Sequence, residues 1–366
     1  QAMTGLTRRQ FQQEMEQGFA SLPPGCHIQF DRLSRERVLD ALRAVANQSW
    51  RRLTGELAAF AQGRPRNALR LTDFLTEQCL ESTDLYSSTR SSSGWTALKR
   101  AAGLEAREAG ADAPQLGKSL SALLDVNDGE RVALLRRIAM RDPLLRGSTD
   151  LRTLRQLQML AYQLYGQRSD LMDGDGFQAR LDASPLMGEE LGELADWIDL
   201  RADLELEPLP GVPQDWPLLL HGTYSRTEIL SATGFWHPQA RPPMFEGLLN
   251  FKPLKLQLLF VTLDKKEGFH ERIAYHDYAI SPELFHWQSQ NNAGPDTASG
   301  RIYTQSATNG WRFQLFVRET PDHPFVALGP VTLDGEPTGA KPMSMVWKLE
   351  RHVPMAMFRR FSVLRG

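Results

Sequence analysis

A proline-rich stretch separates two parts of the chain that differ in the spacing of their apolar residues. Residues 207–213 read Glu-Pro-Leu-Pro-Gly-Val-Pro, and proline disrupts helices and central strands because it lacks a backbone N–H donor. Before this stretch apolar residues recur at helical spacing, and after it short apolar or alternating runs are typical of strands. The sequence therefore predicts an α+β fold, with a helical domain over 1–206, a linker over 207–215 and a β-rich domain over 216–366.

Helix signals dominate the first part. Trp50, Leu53 and Leu57 share one helical face, which predicts a helix there. Further helices are predicted to begin at Leu71 and to cover 95–102, 130–140, 150–165 and 188–200. The last of these helices carries an acidic face that is typical of a helix surface in contact with water. Its members are Glu189, Glu190, Glu193 and Asp196.

Strand signals dominate the second part. Residues 255–263 form an apolar run that predicts a buried strand, and residues 312–318 alternate at period two. Shorter strands are predicted over 300–304 and 343–349. Glycine and proline are frequent between these segments, which favours a curled sheet or a small barrel.

Composition excludes several classes of protein. The 366 residues contain no apolar run near the about 18–20 residues of a membrane span, so no membrane association is expected. Two cysteines, Cys26 and Cys79, are too few for a disulfide framework or a four-cysteine zinc site, which favours a reducing, cytoplasmic setting. The chain opens with Gln-Ala-Met, as is typical of a fragment of a longer protein.

Common enzyme signatures are missing from the sequence. It contains no phosphate-binding Gly-x-x-x-x-Gly-Lys-Ser/Thr loop, no His-Glu-x-x-His and no Gly-x-Ser-x-Gly. Two aspartate-rich turns, 125–129 and 173–176, resemble calcium loops, but Arg136 and Ser184 stand where the closing acid belongs. We therefore predict no catalytic residues, no metal and no cofactor for this chain.

One segment, 275–291, is unusually dense in aromatic and polar side chains. Its seventeen positions hold two Tyr, two His, a Trp, a Phe, an Asp, two Gln and an Asn. Such groups provide stacking faces and hydrogen-bonding edges together, as a pocket for a planar heterocycle requires. The alternative is that these aromatic residues belong to the core of the β-rich domain.

The order of several blocks resembles a known family. The block at 285–290, Phe-His-Trp-Gln-Ser-Gln, is the most specific, and residues 22–32 also fit. The chain is similar to a C-terminal region, long classed as a domain of unknown function, that follows a superfamily II helicase motor. In many relatives a phospholipase-D-type nuclease precedes that motor. The further matching blocks are 221–230, 259–265, 300–303 and 315–319.

This resemblance implies a function in DNA recognition. The family includes type IV restriction enzymes, which cut DNA bearing methylated cytosine, and the ATP and magnesium they use belong to the motor. The helical region would couple that motor to a β-rich reader similar to SET-and-RING-associated and PUA-like domains. The expected partners are therefore duplex DNA and the helicase and nuclease domains of the same parent chain, and a fragment without the motor would bind DNA without cutting it.

The resemblance also suggests which residues would form a pocket for a flipped base. Tyr275, Tyr278 and Trp287 are candidates for stacking, and Asp277 could accept a hydrogen bond from the cytosine amino group. The remaining edge of the base would be read by residues from the end of the same segment. They are Gln288 and Gln290. Alternatively, Asp277 holds its own loop.

Contacts to the DNA backbone are expected from hydroxyl and basic groups around this pocket. One set precedes a predicted helix start at Glu228 and could bind a phosphate, or Ser225 and Thr227 could instead cap that helix. The predicted backbone contacts are Thr223, Tyr224, Ser225, Arg226, Lys265, Lys266 and His286.

The charge balance allows a second hypothesis. From Trp216 onward there are 16 Lys and Arg against 13 Asp and Glu, a modest excess for a protein that grips DNA. The β-rich part could therefore be a protein-interaction module that docks the motor or another partner. DNA binding that weakens steeply with salt would distinguish the two hypotheses.

Overall fold

The computed structural model describes residues 50–90, 92–110, 113–166, 174–201, 205–237, 239–244, 247–263, 277–291 and 293–362. The chain divides into two compact units. The first unit is drawn from 1–124, 138–140 and 181–197, and the second from 125–137, 141–180 and 198–366. The domain limits read from the sequence, 206 and 216, stay a prediction.

The helices that apolar spacing predicts within the described residues begin and end within a few residues of the observed ones. In the helix predicted over 150–165, the Asp150 side chain accepts a hydrogen bond from the Thr153 backbone N–H at 2.8 Å, which caps the first turn. No helix in the described part of the chain is long and apolar enough to cross a membrane. The described helices are α1 (Trp50–Phe60), α2 (Leu71–Glu77), α3 (Ser82–Leu85), α4 (Trp95–Ala101), α5 (Ala113–Ser119), α6 (Gly129–Ala139), α7 (Leu151–Tyr165), α8 (Gly174–Asp182), α9 (Pro185–Asp199), α10 (Arg226–Ala232), α11 (Ala298–Thr304), α12 (Ser306–Asn309) and α13 (Met355–Phe361).

The sequence predicted that the acidic face of α9 is a surface in contact with water, and this is wrong for two of its four acids. Glu190 is only 3% exposed, and its carboxylate accepts the backbone N–H of Trp95 at 2.6 Å and of Thr96 at 3.2 Å. Glu193 accepts the backbone N–H of Leu71 at 2.8 Å. These carboxylates satisfy N–H groups at the starts of α4 and α2, which have no partner within their own helices.

The strands of the second unit form one mixed sheet. Among the described residues eight strands pair in the order β2-β3-β6-β7-β8-β5-β4, with β1 beside β7, and only β3 and β6 run parallel. The α+β prediction is confirmed, while the small-barrel alternative is wrong because the described sheet is open, with β2 and β4 at its ends. The strands are β1 (Thr223–Tyr224), β2 (Leu248–Phe251), β3 (Leu256–Thr262), β4 (Tyr278–Ala279), β5 (Leu284–Gln288), β6 (Arg312–Arg318), β7 (Phe325–Leu333) and β8 (Ser344–Leu349).

The sheet has a separate core on each face. On one face, which we call the α10 face, Leu258, Phe260 and Phe316 pack with apolar residues of α7 and α10. On the other, the α11 face, strand residues pack with Tyr303 of α11 and Phe361 of α13. Alternate residues of β3 go to opposite cores, as the two-residue period of a strand requires.

One predicted strand is wrong. Residues 300–304 lie in helix α11, which begins after Thr297. The Thr297 side chain accepts a hydrogen bond from the Gly300 backbone N–H at 2.9 Å and so caps the helix. Five residues are too few for alternation to separate a strand from a short helix, and the capping residue was the stronger signal.

Candidate nucleic-acid interface

Among the described residues, helices pack on only one part of the α10 face. The buried core on this face takes side chains from β2, β3, β6 and β7, and none from the described residues of β4, β5 or β8. In β5 the residues alternate between buried and half-buried, and in β8 the alternation continues to an exposed Lys348. We call the half-buried and exposed side chains of β4, β5 and β8 the open half-face. They are Tyr278, Leu284, His286, Gln288, Ser344, Val346 and Lys348.

Three residues predicted for DNA recognition come together on this surface. Tyr278 pairs with His286 across β4 and β5, and their rings stack with centroids 5.1 Å apart. Gln288 lies two positions along β5, and its amide donates to the Ser344 hydroxyl at 3.2 Å. Ser344 and Lys348 were not among the predicted contacts, because only strand pairing between β5 and β8 brings them beside the predicted segment.

Trp287 lies on the other side of the sheet. It is 5% exposed and packs edge-on against Tyr303 at 5.5 Å, with Trp347 at 6.2 Å. Because neighbouring residues of a strand point to opposite faces, placing His286 and Gln288 on the open half-face directs Trp287 into the core of the α11 face. In this arrangement its ring has no open face for a base.

Asp277 holds the strand that follows it. Its carboxylate accepts the backbone N–H of Gln288 at 2.9 Å, and the side chain is 8% exposed. This contact matches the alternative in which Asp277 fixes its own loop. Gln290 is half-buried, and its backbone carbonyl accepts the N–H of Ala293. Tyr275, Lys265 and Lys266 lie outside the described residues.

Most of the predicted backbone contacts around β1 are engaged within the protein. The Thr223 hydroxyl donates to the Asp125 carbonyl. Tyr224 is 1% exposed, and its hydroxyl accepts the Leu219 N–H. Ser225 caps α10, accepting the Glu228 N–H while the Glu228 carboxylate accepts the Ser225 N–H at 2.7 Å. The capping interpretation of Ser225 is therefore confirmed.

A buried ion cluster holds α10 in place. The Arg131 guanidinium donates to Glu228 at 2.7 Å and to the Asp128 carboxylate at 2.5 Å, and all three side chains are less than 10% exposed. Burial opposes the charge of Arg131, but the two carboxylates outweigh it and hold the pKa of Arg131 above its usual value. Arg131 also lies over the Tyr224 ring at 4.3 Å. We call Arg131, Asp128 and Glu228 the Arg131 cluster.

Arg226, in the first turn of α10, differs from Arg131. Its guanidinium is half-buried over the rings of Phe260 and Phe325, at 5.4 and 5.7 Å from their centroids. No carboxylate of the described residues lies within ion-pair distance of it. Burial lowers the pKa of Arg226. Because no described carboxylate pairs with it, the charge of Arg226 can still interact with a DNA phosphate, which is the contact that the sequence predicts.

Comparison with known families covers the part of the chain that carries this surface. Residues 218–361 match the family model of a domain of unknown function, DUF3427. The match spans about two fifths of the chain and includes every described strand and the helices α10 to α13. No curated protein matches the chain. The matched residues include the open half-face and Arg226.

The described residues offer no competing metal centre. Among them no group of three or more His, Cys, Asp or Glu side chains is placed to hold a metal ion. His286 stacks on Tyr278, and His323 contacts the Thr320 hydroxyl at 2.7 Å. The chemistry that the site provides is stacking, hydrogen bonding and positive charge.

Proposed function

We propose that this chain is the DNA-reading part of a modification-dependent restriction system, and that its DUF3427 domain binds duplex DNA. The observation that carries the proposal is the grouping of Tyr278, His286, Gln288 and Lys348 on the open half-face. A duplex presents phosphates to a basic side chain and base edges to an amide. The similarity of residues 275–291 to modification-dependent readers supports DNA over another anionic partner.

Recognition of a modified cytosine would use the edge of the sheet at β4. The Tyr278 ring provides a stacking surface, which contributes about 1–3 kcal/mol for each base. Such a contact offsets much of the few kcal/mol that flipping a base out of the duplex costs. Ile280, next to β4, is 44% exposed and offers an apolar contact for a 5-methyl group, whereas Ala279 is buried.

The helical part of the chain would couple this reader to a motor. That role follows from the resemblance to helicase-associated chains, in which ATP and magnesium act in the motor domain. The proposal assigns no bond-breaking step to the described residues. This chain would bind and select DNA, and the helicase and nuclease domains of the parent protein would act on it.

A binding titration tests the proposal. The full chain is titrated into two fluorescent duplexes that differ in one 5-methylcytosine pair, at low and moderate salt. We expect at least tenfold tighter binding to the methylated duplex, equal to about 1.4 kcal/mol, and affinity for both duplexes that falls steeply with salt. Absence of binding to either duplex at low salt would overturn the proposal and favour the protein-interaction hypothesis.

Variants locate the reading surface. Tyr278→Ala should remove the preference for the methylated duplex, and Lys348→Gln should weaken both duplexes equally. Lys252→Gln is the matched control, because Lys252 is also an exposed lysine of the second unit but lies between β2 and β3, away from the open half-face. Equal effects of Lys348→Gln and Lys252→Gln would place the DNA elsewhere on the domain.

A further inference from the structure

Arg226 and Arg318 bring two positive charges to the same aromatic ring. The Arg318 guanidinium lies 4.4 Å from the centroid of Phe325, and the Arg226 guanidinium lies 5.7 Å from it. Their central carbons are therefore at most about 10 Å apart. Arg226 comes from the start of α10 and Arg318 from the end of β6, so the pair exists only in the folded domain.

No described side chain neutralises this pair. Neither arginine has a carboxylate within ion-pair distance among the described residues, in contrast to the Arg131 cluster. Burial lowers the pKa of Arg318, and the charge of Arg226 lowers it further, while the charge of Asp322 opposes this effect. Two like charges in a partly desolvated place repel each other, so holding them together lowers the stability of the ligand-free domain.

The geometry leaves donors free to bind a ligand. Arg318 uses one N–H on the Thr262 hydroxyl and one on the Pro321 carbonyl, both at 2.9 Å, which fixes its orientation. A guanidinium has five N–H donors, and those of Arg226 donate to no described residue. None of the Arg226 nitrogens is among the fully buried atoms without a partner, so they keep access to solvent.

We propose that Arg226 and Arg318 form a binding site for a phosphate group, with Phe260 and Phe325 as its floor. Two guanidiniums match the charge of a phosphate and donate in the forked geometry that its oxygens accept. The aromatic floor orients the guanidiniums and keeps water from one side of them. As a DNA contact this site rests on the proposed function, whereas as a site for free phosphate it stands alone.

The phosphate site is separate from the base-reading surface. Phe325 begins β7, and β8 pairs with that strand from Val331 onward, about 20 Å further along. A duplex contacting both places would therefore present a phosphate several nucleotides away from the recognised base. Loss of the arginine pair should lower affinity without changing the preference for methylated cytosine.

Two measurements test the inference on the full chain. Inorganic phosphate at constant ionic strength should raise the thermal unfolding midpoint of the wild type, and Arg226→Gln or Arg318→Gln should abolish the rise. In DNA titrations the double variant should lower the slope of log affinity against log salt by about one. Arg359→Gln is the control, because Arg359 is an exposed arginine of α13, on the opposite face of the sheet.

The outcomes separate the two proposals. Phosphate stabilisation that needs both arginines, without any DNA binding, would support a free-phosphate site and overturn the proposed function. Methyl-dependent DNA binding with an unchanged salt slope, and no arginine-dependent phosphate effect, would overturn the phosphate site alone. If a glutamine variant fails to fold, Arg226→Lys and Arg318→Lys keep the charge, and weakened phosphate binding in them would still support forked recognition.

Discussion

The α9 carboxylates of the first unit and the arginine pair of the second show two different uses of partly or fully buried charge. Glu190 and Glu193 are satisfied by backbone N–H groups at the starts of α4 and α2. Arg226 and Arg318 lie over aromatic rings and lack a carboxylate partner among the described residues. The carboxylates hold helices in place, whereas the arginines contribute cation–π contacts and, for Arg318, two hydrogen bonds.

The difference separates structural charge from charge kept for a ligand. Taking a charge out of water without a partner is unfavourable, so a protein that keeps such groups usually does so at a functional site. Arg131 shows that the second unit can neutralise an arginine, since Asp128 and Glu228 both contact it. Glu228 also lies on the same short helix as Arg226, yet it pairs with Arg131.

The largest expected effect on stability comes from removing the positive charge of the Arg131 cluster. Arg131→Met would leave the Asp128 and Glu228 carboxylates buried without a counter-charge, at a cost of about 3–5 kcal/mol in the free energy of unfolding. Urea denaturation measures this loss. Arg136→Met on the same helix is the control, since its ion pair with Asp199 is exposed and should change stability by less than about 1 kcal/mol. Similar losses of unfolding free energy in both variants would show that the buried Arg131 cluster is no more important for stability than an exposed ion pair.

A middle-sized effect is expected at Glu190. Glu190→Gln removes one of two acceptors for the backbone N–H groups of Trp95 and Thr96, which should cost about 1–3 kcal/mol at pH 4.5. Burial raises the pKa of Glu190 above 4.5, so the stability it contributes is complete below pH 4.5 and declines as pH rises through its folded-state pKa. The wild type should therefore lose stability relative to the variant between pH 4.5 and 8.

Glu189, the neighbour of Glu190 on α9, provides a control because its pKa is shifted in the opposite direction. Hydrogen bonding to Arg107 lowers the pKa of the exposed Glu189 below 4.5. Its contribution is present above pH 4.5 and is lost as pH falls through the lowered value. Urea midpoints for Glu189→Gln and Glu190→Gln, measured from pH 3 to 8, should therefore diverge from the wild type in opposite directions.

The smallest effect on stability is expected at the arginine pair. Arg226→Gln or Arg318→Gln loses a cation–π contact of about 0.5–1 kcal/mol and relieves the repulsion between the two charges. We expect the free energy of unfolding to stay within about 1 kcal/mol of the wild type in phosphate-free buffer. A loss of stability comparable to that of Arg131→Met would show that the arginine pair is structural and would contradict the distinction between structural charge and charge kept for a ligand.

Three of the four predicted strands match described strands, but local sequence signals did not identify which face of the sheet each residue joins. The helical spacing around Leu53 and the alternation over 312–318 match α1 and β6. The sequence predictions include no strand at β5, so the two sides of that segment were not separated. Trp287 was predicted for the base pocket from the aromatic density and the family resemblance of its segment, whereas pairing with β8 places it beside Trp347 in the core.

What the sequence by itself determined is the α+β class, the caps of α7 and α10, and the segment that supplies Tyr278, His286 and Gln288. These depend on interactions within a few residues of each other, which spacing and residue type encode directly. Only the tertiary structure decided which charges are neutralised. Glu190 meets Trp95, Arg131 meets Glu228 and Arg318 meets Arg226 across about 90 residues of chain in each case, and no local pattern specifies contacts between residues so far apart.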